Sequence, residues 1–262
     1  MVIVDRKLGR VLPYRVVFFP TAEEVRGTIA GLTLGSMARL ISFGGPDSPI
    51  TRKILMHEVT ATSCVDLSQD REKLFHSMHA STRNKIGKAE RLGSRVMIRR
   101  NHESAVDEFL EIYAGTAAVK ADKVLPVSRP VLERYARCSD IFVAYLDGKC
   151  VCGHVNLRDE QRGRERLLFS ASRRFEDKEM ARLAGILNCY LHWHEMLMYK
   201  EQGFRVYDLG GIALGENPDA VGIDRFKAGF GGRTVVEHSY LCAGSPLLGR
   251  TLLRIFGTRH NR

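Results

Sequence analysis

"ARLAGILNCYLHWHEMLMYKEQGFRVYDLGG", residues 181–211, decides the fold. Its first two-thirds carry the apolar spacing of one long helix, which Gly203 stops. FRVYDLG (204–210) then reads as a strand that runs into paired glycines. Such a strand end exposes backbone N–H groups, and α/β sheets bind ligands at such ends. Eight of the 24 glycines lie within residues 203–232, so this is also where the chain concentrates its special backbone geometry.

Working outward, the same pattern continues on both sides. IFVAYLDGKCVCGHVNL (141–157) predicts a hairpin turning at Asp147-Gly148, and RERLLFSASRRF (164–175) a third strand. Residues 217–230 predict a short helix with Pro218 at its first position, and 233–242 a last strand. Upstream, 70–93 reads as one basic helix ended by Gly93, 94–100 as a strand, and 102–119 as a helix. A further helix starts at Ser128, after a loop over 120–130. The first 68 residues are rich in strands: 11–20, a helix over 21–32 with a Thr21/Glu24 capping box, a turn at 44–49, and one or two strands within 50–67. The fold class is therefore α/β (α+β): a mixed central sheet flanked by helices, with a smaller strand-rich part before it. The expected division is 1–68, 69–242 and a basic tail, 243–262, which reads as a short amphipathic helix.

Composition narrows the function. The 262 residues carry 40 Lys+Arg against 30 Asp+Glu, a net charge of +10, which suits an anionic partner. No apolar run reaches the length of a membrane span and the N-terminus lacks a signal-peptide plan, so a cytoplasmic protein is expected. The six cysteines form no C-x-x-C pair and are expected as reduced, buried thiols, with Cys150 and Cys152 on one strand face. No metal is expected: His192 and His194 point about 200° apart on a helix and cannot share an ion. No P-loop, G-x-G-x-x-G or G-x-S-x-G occurs.

Several groups could carry chemistry. Lys227 sits at the edge of the stripe formed by Ile223, Phe226 and Phe230; it either snorkels to water or aims its ammonium at an oxyanion. Arg83, Lys85, Lys88 and Arg91 lie in a basic run that is either a solvated helix face or a phosphate-binding one. Asn188, His192, Glu195 and Tyr199 make a polar stripe on the long helix. RLAGIL (182–187) partly matches the Arg-x-x-Gly-x-Gly/Ala turn with which acyl-CoA enzymes hold a pyrophosphate at a helix start; Arg182 and Gly185 fit and Leu187 does not.

Three stretches together resemble the Fem-type (FemABX-like) branch of the GNAT acyltransferase superfamily. They are VDLSQDREKLFHSMHASTRNKIGKAERLGSRV (65–96), the helix and strand of 181–211, and GIDRFKAGFGG (222–232), which is similar to that branch's Phe-Lys-x-Gly-Phe-Gly-Gly signature. The resemblance spans roughly residues 60–241. It implies a GNAT-like domain behind a cut-down N-terminal one, and a transferase that moves an aminoacyl group from charged tRNA to an amine of a small peptide or cell-wall-precursor-like acceptor. No cofactor is then needed, aminoacyl-tRNA being the donor. Acyl-CoA is the alternative donor, and a non-catalytic RNA-binding protein the third reading. Carried over by motif, Lys227 stabilises the transferred carbonyl. Asp208 orients the amine, takes its proton or caps the glycine turn. Phe226, Tyr207, Gly210, Gly211 and Arg182 are expected at the substrate, and the basic tail suits peripheral membrane contact.

Overall fold

The computed structural model describes residues 1–8, 12–43, 53–119, 126–213 and 221–256. The expected turn at 44–49 and Pro218 lie outside them. The chain forms two compact units, one of Met1–Thr62, Gly211–Asn217 and Thr234–Arg262, the other of Ser63–Gly210 and Pro218–Arg233.

In the first unit the strands are β1 (Val2–Leu8), β2 (Leu12–Phe18), β3 (Met37–Phe43), the start of β4 (Ile54–Asp66) and β10 (Arg233–Ala243), in the order β1-β2-β3-β10-β4. Helix α1 (Ala22–Ala30) links the parallel pair β2 and β3. Its expected capping box is present: Thr21 Oγ1 accepts from Glu24 N–H, and the Glu24 carboxylate accepts from Thr21 N–H. Val17, Val25, Ile29, Leu40 and Tyr240 close a small core. Strand β1 was not anticipated. Its alternation buries Val2 and Val4 and exposes Ile3 and Asp5, a pattern too short to stand out among the charges of this segment. Of the stretch expected to hold one or two strands, the described residues 53–67 form one, β4.

The second unit has the strand order β4-β9-β8-β7-β6-β5, with β5 (Val96–Arg100), β6 (Ser139–Leu146), β7 (Lys149–Asp159), β8 (Arg164–Ser172) and β9 (Val206–Ile212). Strands β5 to β8 are antiparallel, while β8 and β9 are parallel. The hairpin turns where expected, with positive φ at both Asp147 and Gly148. One face of β6 presents Phe142, Ala144 and Leu146 to α3 (Ala80–Arg91) and α6 (Lys178–Glu201), where Ile86, Leu187, Leu191 and Met196 pack. The opposite face packs against α4 (Ala105–Val119) and α5 (Arg129–Tyr135) through Phe109, Ile112 and Leu132.

Two expectations are corrected. Residues 70–93 form two helices, α2 (Arg71–Ser77) and α3, because Met78 turns extended (φ −73°, ψ 152°) and His79 becomes the N-cap of the second. The cysteine pair does not share a face. Ala144 pairs with Cys152 and Tyr145 with Cys150, so Val151 is an extra, bulged residue. Cys152 joins the core beneath α6, and Cys150 the opposite cluster. All six thiols are free.

Candidate active site

The site is a gap in a sheet. Strands β8 and β9 pair only at Arg164–Val206, Glu165–Tyr207 and Arg166–Asp208, then part. The opening is a cleft of about 790 Å³ between Leu167, Ser170 and Ser172 of β8, Leu209 of β9, and helices α3, α6 and α7 (Val221–Ala228). Lys85, Arg174, Arg225 and Lys227 line it, and among the described residues no carboxylate does, so it suits an anionic ligand.

Helix α7 delivers Lys227 into this gap. The turn behind it is tight: Gly231 has φ 73°, and a Cβ there would stand 2.6 Å from the Ser77 carbonyl oxygen. That closeness locks the end of α7 against α2, and Phe230 is fully buried behind it. Gly210 leaves the space on the other side, since its absent Cβ would lie 3.2 Å from the Leu167 carbonyl and 3.8 Å from Lys227 Nζ. Burial pushes the Lys227 ammonium down to a pKa of about 8, against the pull of Asp208 and Asp224, and nearby Arg166 adds to the fall. An ammonium poised near neutrality in a half-dry cleft can meet a developing oxyanion.

Beneath the cleft lies a polar network. On α6, Asn188, His192 and Glu195 recur on one face and meet His154 of β7. His154 Nδ1 lies 2.9 Å from Glu195 Oε1, and its Nε2 lies 2.8 Å from Asn188 Oδ1. The Tyr207 hydroxyl donates to Glu195 Oε2 and sits 2.7 Å from His192 Nδ1. His154, His192 and Glu195 bring possible ligand atoms within 4.8 Å of one another, and the same side chains are joined with Asn188 and Tyr207 in a hydrogen-bond network.

Residues 76–228, more than half of the chain, match the acetyltransferase (GNAT) domain. The chain belongs to the GNAT family. It is accordingly an acyltransferase, built on the mixed sheet and flanking helices of a GNAT domain. No curated protein matches its sequence. Among solved structures it is similar to FemX, at 12% identity over 95% of this chain and 86% of that one, with a TM-score of 0.63. It is also similar to L-PGS from Bacillus licheniformis, at 13% identity over 99% of this chain and 86% of that one, with a TM-score of 0.53. At these identities the likeness is one of fold, and the fold is the Fem-like form that the three sequence stretches resemble.

The expected residues of the GNAT domain are dispersed. Lys227 and Phe226 line the cleft. Asp208 is fully buried beside it: Arg164 donates to Oδ2 at 2.9 Å and Gly210 N–H donates to Oδ1 at 2.9 Å, so the carboxylate caps the glycine turn. Tyr207 is also fully buried and serves the network rather than the cleft surface. Gly211 belongs to the other unit. Lys85 lines the cleft. Lys88, Arg91 and Arg182 form a separate basic groove with Arg95. Arg83 donates through Nη1 to the carbonyls of His76 and Met78.

RLAGIL also needs correction. It is not a turn at a helix start: α6 begins at Lys178, so Arg182–Leu187 lie inside the helix, where backbone N–H groups are already bonded along the axis. The true start is capped by Asp177, whose carboxylate accepts from Met180 N–H at 2.7 Å. The sequence gives Asn188, His192 and Glu195 only a supporting or solvent role on their stripe, and His154 none. The stripe on α6 was visible, but its partner His154 comes from a strand with no sequence link to it.

Proposed function

We propose that this GNAT enzyme moves an aminoacyl group from charged tRNA to an amine of a small peptide-like acceptor. One observation carries the choice of donor. The turn that acyl-CoA enzymes use for the pyrophosphate offers free N–H groups at a helix start, whereas here the Asp177 carboxylate takes the Met180 N–H at the start of α6 and the Arg-x-x-Gly stretch is helix interior. Cations are offered elsewhere. Lys85 of α3 lines the cleft, and farther along α3 Lys88 and Arg91, with Arg182 of α6 and the Asp147-paired Arg95, line the basic groove, which Glu179 also borders. A polyanion held along that groove could place its terminal ester in the cleft.

In this reading the acceptor amine attacks the ester carbonyl, and the Lys227 ammonium receives the charge that develops on oxygen. Such a donor is typically worth about 2.7–4 kcal/mol of barrier. The C–O bond to the tRNA ribose then breaks. The basic tail would be a separate membrane contact; it forms α8 (Pro246–Phe256), with Arg250 and Arg254 exposed. Among the described residues no helix is long and apolar enough to cross a membrane.

The test is a donor comparison at fixed salt. Charged-tRNA pool, uncharged tRNA and acetyl-CoA are each offered to the purified protein, with a mixture of short peptides as acceptors. Preferential retention of charged tRNA and a new peptide amide bond are expected. Acetyl-CoA binding and acetylated peptide would overturn the choice of donor.

A further inference from the structure

The network under the cleft has one end that its internal bonds leave free for work. Tyr207 spends its hydroxyl proton on Glu195 Oε2. Its oxygen can then only accept from His192 Nδ1, 2.7 Å away. His192 therefore carries its proton on Nδ1, and Nε2 keeps the lone pair. The hydrogen bonds and ion contacts of His192 run through Nδ1. The two nitrogens lie on opposite sides of the ring, so anchoring Nδ1 inward turns Nε2 outward, and His192 lines the cleft. Phe226 and Phe230 clamp the ring, with centroids 5.7 and 4.9 Å away, which fixes that direction.

We propose that His192 Nε2 is the proton acceptor of the transfer reaction. The inference rests on the reading above that an amine attacks an acyl carbonyl in this cleft. As the N–C bond forms, the amine proton passes to Nε2. As the C–O bond to the donor breaks, the same proton passes from Nε2 to the leaving oxygen, so His192 ends as it began. The Nδ1–H bond to Tyr207, and through it to the Glu195 carboxylate, steadies the transient imidazolium. His154 of β7 faces the ring at 4.2 Å and holds Glu195 from the far side. Between turnovers burial, His154 and Lys227 keep His192 far below the usual imidazole range, so the lone pair is available at neutral pH. Lys227 and His192 thus divide the work, one meeting the negative oxygen and the other the departing proton.

A histidine that merely fills the core gives a different result in two measurements. The first is nitrogen NMR on the full chain labelled at histidine, with His192 assigned by the signal lost in His192→Gln. At pH 7 His192 is expected as a neutral Nδ1–H ring with a bare Nε2; an Nε2–H ring or an imidazolium overturns the proposal. The second is single-turnover transfer from the charged-tRNA pool to the peptide mixture. His192→Gln should slow transfer by roughly 10²–10⁴-fold with charged-tRNA binding unchanged, and imidazole should restore part of the rate to His192→Ala. Tyr207→Phe, a positioning change, should slow transfer less and shift the His192 tautomer signal. An unchanged rate in His192→Gln, or a loss of donor binding in step with rate, overturns the proposal. Wild-type protein that transfers from neither charged tRNA nor acetyl-CoA overturns the transfer reading itself, whatever the tautomer, and this proposal falls with it.

Discussion

Replacing Lys227 by methionine should make the protein more stable and nearly inactive at once. The native pKa is about 8 against an ordinary 10.5. Each tenfold change in proton affinity is worth about 1.36 kcal/mol, so folding the ammonium into this cleft costs about 3 kcal/mol below pH 8. Lys227 keeps partial contact with water, which reduces the estimate to about 1–3 kcal/mol. The sign follows from the protons bound. Between pH 8 and 10.5 the unfolded chain holds the lysine proton more fully than the native one, so wild-type stability rises through that window. Lys227→Met has no such proton to lose. Its advantage should be full below pH 8 and gone above 10.5, as read by urea unfolding across pH. Single-turnover transfer should fall by roughly 10²–10³-fold in the variant. Wild-type transfer should decline above pH 8 as the ammonium is lost. A variant less stable than wild type at pH 7, by an amount that does not change with pH, would refute the reasoning and make Lys227 a structural ion-pair partner. Wild-type activity that rises to a plateau above pH 8 would instead make it a base.

Two further outcomes follow from neighbouring groups. Lys88→Ala and Arg91→Ala should each weaken charged-tRNA retention and lower the slope of log binding against log salt by about 1, whereas Arg83→Ala should lower the melting temperature and leave that slope alone. Glu165 is fully buried, and burial together with the neighbouring Glu195 and Asp208 carboxylates raises its pKa well above the ordinary value. It contributes stability at low pH that is lost as pH rises, so Glu165→Gln should gain on wild type in denaturant unfolding as pH climbs from about 4.5; an equal offset at every pH would contradict this.

The secondary structure was legible wherever a local rule decided it. Thr21 and Glu24 announced α1, Asp147-Gly148 the hairpin, and the long apolar stripe α6. The break at Met78–His79 was not legible, because tertiary contact makes it: His79 N–H donates to the Gly229 carbonyl 2.9 Å away, on a segment 150 residues later in the chain. The bulge at Val151 was hidden for a similar reason, since nothing in KCVCG marks an extra residue until β6 sets the register. At the site, FKAGFGG pointed to Lys227 and the glycine-rich strand end to the cleft. The spacing on α6 displayed the polar stripe but not its meaning. A strand histidine completes the network, and the direction of one tyrosine proton decides which nitrogen of His192 is bare.

The pairing of β3 with β10 has a consequence during synthesis. Strand β3 finds one neighbour, β2, almost immediately; its other neighbour carries Ser239, to which Arg39 bonds across 200 positions of chain. At ribosomal rates of roughly 5–20 residues per second, that edge waits about 10–40 s for its partner. Over that interval β3 is an open strand edge in a growing chain. The stretch from 63 to 210 can assemble most of its own sheet meanwhile. The nascent protein thus carries an open edge at β3 through that interval, which a chaperone holding residues 37–43 until residues 233–243 emerge would cover.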